Sequence, residues 1–102
     1  MATGSMEKVT NNSGSGYCKM PDGTLIQWGK DNIAENDANK TVLFPVSFSD
    51  TNYSLTVSGG FAYIPTVFFV YSAQTINSVI IWKSTTDTHV QPFSWIAIGR
   101  WK

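Results

Sequence analysis

The sequence predicts an all-β chain, an antiparallel β-sandwich of about six to seven short strands. Three observations carry that expectation. Short runs of β-branched and aromatic residues recur along the chain, turn signals rich in Pro, Gly, Asn and Asp separate them, and no segment shows a convincing helical period. At 102 residues the chain can build one core and not two, because a single domain usually occupies roughly 100 to 200 residues.

The opening Met1-Ala2-Thr3-Gly4-Ser5-Met6 lacks the basic start and apolar run of a signal peptide and reads as an expression scar ahead of a second Met. Residues 7–15 are polar, with Val9 the one aliphatic side chain, so burial cannot offset their ordering entropy. They read as a linker, and the folded domain is expected over residues 16–102. Residues 17–20 and 25–30 are strand-like runs on either side of Pro21-Asp22-Gly23-Thr24, where proline presets the turn and glycine takes its left-handed position. This is a β-hairpin. Residues 31–40 are polar apart from Ile33 and two alanines and read as loop.

Residues 41–44 form a short β-branched run stopped by Pro45, and residues 48–52 carry the side-chain oxygens that favour a turn. Tyr53, Leu55 and Val57 then alternate with Ser54, Thr56 and Ser58, a period of two that turns one face inward until Gly59-Gly60 ends the strand. Residues 67–71, 78–82 and 93–98 are apolar on successive positions and are expected as central strands buried on both faces. No internal repeat is present at a solenoid or propeller period.

Composition excludes several functions. Seven basic residues balance seven acidic ones without a long run of either sign, so no net field draws the chain to nucleic acid or an anionic membrane. The longest apolar stretch, residues 64–71, falls far short of the roughly 20 residues that span a bilayer, so no membrane insertion is expected. Cys18 is the single cysteine, which rules out an intrachain disulfide and a thiolate-rich zinc site, and fits synthesis in a reducing compartment. Charged residues make up only 14% of the chain, sparse for a small monomer with much surface to keep wet, and a partner subunit is expected to cover part of it.

Catalytic chemistry finds little to work with. His89 is the single histidine, no Gly-x-Ser-x-Gly elbow accompanies it, and no glycine fingerprint cradles a phosphate, so the chain is not expected to be an enzyme or to carry a cofactor. Asp31, Glu35 and Asp37 lack the spacing of an EF-hand loop and read as a solvated loop, and no metal is expected.

What the sequence does offer is an aromatic and polar segment. Trp82, Lys83, Asp87, Thr88 and His89 leave a strand and enter a loop, and an indole beside short polar groups suits a sugar, whose ring has an apolar face and a rim of hydroxyls. The competing reading makes Trp82 a core residue and the rest an ordinary hairpin loop. Phe61 and Tyr63, in a glycine-led loop with no local pattern to bury them, form a second candidate surface that would serve ligand or a neighbouring subunit equally.

Two patches, Gly16-Tyr17-Cys18-Lys19-Met20-Pro21-Asp22-Gly23-Thr24-Leu25-Ile26-Gln27-Trp28-Gly29 and Phe93-Ser94-Trp95-Ile96-Ala97-Ile98-Gly99, together resemble the C-terminal domain of phage and prophage tail fibres. Between them Val42-Leu43-Phe44-Pro45-Val46-Ser47-Phe48 is similar to a further segment of that family, so the likeness runs from Gly16 to the end. The resemblance implies a homotrimeric sandwich at the distal end of a virion fibre, made in the bacterial cytoplasm, joined to an upstream shaft and recognising a bacterial surface glycan. The alternative it leaves open is a structural trimerisation cap that binds no receptor. A looser likeness to the H-type lectins rests on Trp82-Lys83 and on Ser94-Trp95-Ile96-Ala97-Ile98, with Lys83 standing where those lectins are expected to carry histidine.

Overall fold

Alternation of apolar and polar residues organises nearly every element of the computed structural model, which describes residues 7–10, 14–35, 37–59, 69–83 and 90–102. Eight strands occur among the described residues: β1 (Glu7–Thr10), β2 (Gly16–Lys19), β3 (Thr24–Ile33), β4 (Asn39–Leu43), β5 (Ser54–Gly59), β6 (Phe69–Ser72), β7 (Ser78–Lys83) and β8 (Gln91–Arg100). They form two antiparallel sheets, a five-stranded one in the order β1-β2-β3-β8-β5 and a three-stranded one in the order β4-β7-β6. The all-β sandwich expected from the sequence is the fold observed.

The sheets bury one face each against the other. Leu25 and Ile33 of β3 and Phe93, Trp95 and Ala97 of β8 meet Val42 of β4 and Val79 and Ile81 of β7. Gly29 stands directly opposite Trp95, and a Cβ there would lie 2.7 Å from the indole, so the ring needs a glycine beneath it. One end of the sandwich is closed by aromatics. Phe48 stacks on Tyr53 with ring centroids 4.4 Å apart, and Phe44 meets both edge-on at 5.2 Å.

The connector holding those aromatics is not a strand, yet its backbone is satisfied. Gln27, fully buried on β3, donates from Nε2 to the Val46 carbonyl at 2.7 Å and accepts the Val46 N–H on Oε1 at 2.9 Å. Its amide thus imitates a strand partner for the connector. From the other side, the Tyr53 hydroxyl donates to the Thr75 carbonyl at 2.7 Å and holds the 73–77 connection of the small sheet.

Strand directions create two poles. Glu7 pairs with Lys19, Lys19 with Leu25, and Thr24 with Arg100, so the first described residue and the last strand's end lie together beside the 20–24 turn. There Arg100 donates to the Asp22 carbonyl at 2.7 Å and the Trp101 indole to that of Met20 at 2.8 Å. At the opposite pole lie Ile33, Asn39, Gly59, Phe69, Lys83 and Gln91, the strand ends that lead into the other connections.

Four expectations change. Glu7–Thr10, read as linker, pairs in full with β2; its side chains are all exposed, so backbone pairing and a 2.6 Å bond from the Tyr17 hydroxyl to Glu7 hold it rather than burial. The segment read as loop over 31–40 begins as strand through Ile33, because β3 follows its long partner β8, and ends as strand from Asn39. The run 67–71, expected as a central strand, is described from Phe69 as Phe69–Ser72, an edge strand among the described residues with Val70 and Tyr71 exposed. β7 and β8 are central as expected, but each packs only one face among the described residues.

Replacing Gln27 by Leu is expected to leave both Val46 backbone groups unpaired in a dry site and to cost about 2 to 4 kcal/mol in urea unfolding, with the fold retained. Burial, with a smaller electrostatic contribution from the nearby Tyr71, raises the Tyr53 hydroxyl to about 12. An unfolded tyrosine ionises near 10, so this contribution is intact below about pH 10 and is lost as pH rises toward 12, by about 2 to 3 kcal/mol. Unfolding of Tyr53→Phe measured across that range should show a correspondingly shallower alkaline decline; an identical decline would show that Tyr53 does not titrate this way.

Candidate functional site

The outward face of the small sheet is the most distinctive surface among the described residues. β7 sends Val79 and Ile81 inward, so Ser78, Ile80 and Trp82 point out. Pairing sets Asn39 and Val70 on either side of Trp82, and Thr41 and Ser72 on either side of Ile80. Leu43, Val70 and Trp82 are exposed to 74%, 50% and 36%, so this face mixes apolar and polar groups in contact with solvent.

Trp82 does not hang free. Its Nε1 donates to the Ser72 hydroxyl at 2.7 Å, and Ser72 lies across from Ile80, two residues before Trp82, so the indole leans diagonally over β6. The bond consumes the one polar atom of the ring and leaves its hydrocarbon surface as the accessible part. The side chains of Asn39 and Thr41 make no hydrogen bond among the described residues.

The residues singled out from the sequence divide. Trp82 is outward and not core, but Lys83 takes the opposite face of β7, opposite Phe69 on β6, so the two do not converge. Phe61, Tyr63, Asp87, Thr88 and His89 lie outside the described residues. Asn39, Thr41 and Ser72 were missed, because they belong to other strands and only the pairing register brings them beside Trp82. Asp31 accepts its neighbour Asn32's N–H at 2.8 Å and lies 4.0 Å from Lys40, and no trio of His, Cys, Asp or Glu gathers among the described residues. None of the helices sought among those residues is long and apolar enough to cross a membrane, a statement that does not reach strand-built pores.

A two-sheet sandwich of this topology is found in tail-fibre proteins. The chain aligns with an R2 pyocin fibre from P. aeruginosa at a TM-score of 0.78 and 20% identity, over 97% of this chain and 27% of that one. It aligns with an N-truncated R1-type pyocin tail fibre at a TM-score of 0.70 and 18% identity, over 96% of this chain and 88% of that one. The chain therefore spans about a quarter of the R2 fragment. No curated protein matches it. The family described as tail fiber protein gp53-like, C-terminal, matches residues 19–100, and the chain belongs to that family.

If the Ser72 bond fixes the indole, Ser72→Ala should leave stability within about 1 kcal/mol of the parent. The same change should raise the acrylamide quenching of Trp82, read in a background where Trp28 and Trp101 are phenylalanine; unchanged quenching would show that the bond does not hold the ring.

Proposed function

We propose that this domain is the host-receptor-binding tip of a phage tail fibre, and that it recognises a bacterial cell-surface carbohydrate on the outward face of the small sheet, centred on Trp82. The observation that carries the reading is an exposed indole held at its nitrogen by Ser72 and flanked by the uncommitted side chains of Asn39 and Thr41. A pyranose ring stacks its C–H face on such a ring and presents hydroxyls to an amide and a hydroxyl within reach. The domain acts by binding, not by catalysis.

Topology supports an orientation. Whatever precedes Glu7 in the parent fibre enters at the pole shared with the 20–24 turn, so the opposite pole faces away from the shaft. The connections that carry Phe61, Tyr63, Asp87, Thr88 and His89 leave and rejoin the described strands there, at Gly59, Phe69, Lys83 and Val90, on the side where Trp82 and Asn39 also lie. We count those five residues, and Lys83 on the other face of the end of β7, as further contacts for the ligand. The parent is a homotrimer made in the host cytoplasm, and three weak sites per tip add avidity.

Titration of host-surface polysaccharide or glycan-array hits onto the trimer tests the reading. Trp82→Ala should weaken binding about tenfold and Asn39→Ala several-fold, in line with one lost stacking surface and one lost hydrogen bond. Full binding by Trp82→Ala with the assembly intact would move the site elsewhere. An absence of any host or glycan binding, together with failure of fibre assembly when the domain is deleted, would favour the trimerisation cap.

A further inference from the structure

The large sheet also has an outward face, and its centre is apolar. Ile26 and Trp28 of β3 stand directly across from Ile98 and Ile96 of β8, and Cys18 of β2 extends the row beside Ile26. Ile96 and Ile98 are 49% and 47% exposed in the single chain. Trp28 folds over β2, where a Cβ at Gly16 would come within 2.8 Å of its ring. Polar residues surround this centre: Thr10 on β1, Thr56 and Ser58 on β5, and Lys30 and Arg100 toward the poles.

We infer that this face packs against other copies of the same chain, three such faces turned toward a common axis. The inference rests on the trimeric fibre reading above and assigns its interface. An antiparallel sheet with one wet face carries polar side chains there, whereas here isoleucine and tryptophan occupy the middle of the sheet, farthest from its edges. An apolar centre inside a polar rim is the anatomy of a subunit contact.

Size agrees with a second copy as the occupant. Strand spacing and rise give the five-stranded face a footprint of roughly 500 to 600 Å². Side-chain relief raises its accessible area toward the roughly 800 Å² per partner that stable associations bury. A cyclic arrangement places the middle of each face on the axis and brings the Ser and Thr rim of β5 to the neighbour's edge. It also accounts for the low charge of the chain and for the apolar character of both faces of residues 93–98. The Trp82 surface lies on the opposite side of the sandwich, so the assembly leaves three copies of it outward.

Light scattering on the purified protein is expected to give three times the 11.3 kDa chain mass. The double variant Ile96→Asp, Ile98→Asp should fall to monomer with an unchanged circular-dichroism spectrum, while Leu43→Asp on the small sheet should keep the trimer. A double variant that remains trimeric overturns the assigned face and leaves the trimeric reading standing; a monomeric parent protein overturns both. Where the double variant loses its spectrum, Thr56→Lys with Ser58→Lys on the exposed rim is read in its place. Dissociation of that variant supports the face, and an intact trimer overturns it.

Discussion

The amide of Gln27 is the constraint on which the sandwich turns. A five-stranded and a three-stranded sheet do not match edge for edge, and the chain that passes from β4 back to β5 must cross the core's end without a ladder of its own. Backbone groups left dry in such a crossing are expensive. Gln27 removes that cost at Val46 by presenting both a donor and an acceptor from the middle of β3. Once the connector is held there, Phe44 and Phe48 are delivered on either side of Val46, Tyr53 stacks beneath Phe48, and its hydroxyl reaches across to the small sheet. One buried amide therefore couples the register of the large sheet to the placement of the small one.

The two sheets then divide the labour. Their inner faces carry the shared core, which leaves the outward faces open to other tasks, and the two outward faces differ in kind. That of the large sheet is apolar at its centre and polar at its rim, while that of the small sheet interleaves Trp82, Val70 and Leu43 with Asn39, Thr41 and Ser72. A surface meant for permanent contact with protein has no need of unpaired amides and hydroxyls, and a surface meant for a hydrated, hydroxyl-rich ligand gains from them.

Legibility in the sequence followed from how local each signal was. The 20–24 turn and the Tyr53 to Val57 alternation depend on neighbours in the chain, and both appear where the residues indicate. Pairing is not local. Glu7–Thr10 has no apolar pattern and is ordered by the edge of β2, and Asp31 to Ile33 stay extended because β8 runs alongside. Apolar residues on successive positions of β8 indicate burial on both faces, and the described residues supply it on one. Adjacency also misled at the site. Trp82 and Lys83 are neighbours in sequence and, by the two-residue period of a strand, point to opposite faces.

The same physics explains why the family signature identifies the fold and is silent about the ligand. Gln27, Gly29, Phe44, Phe48 and Trp95 all face inward, and each is tied to a specific partner across the core, so a change at one strains another. Such mutually dependent positions can preserve a backbone to a TM-score of 0.78 while only 20% of residues are shared. Asn39, Thr41 and Trp82 carry no such burden, since β4 and β7 keep their pairing through the backbone whatever side chain points outward. A scaffold of this kind can exchange its outward residues at little cost to folding. The likeness to pyocin fibres therefore speaks for the sandwich alone and carries no information about what the outward side chains bind.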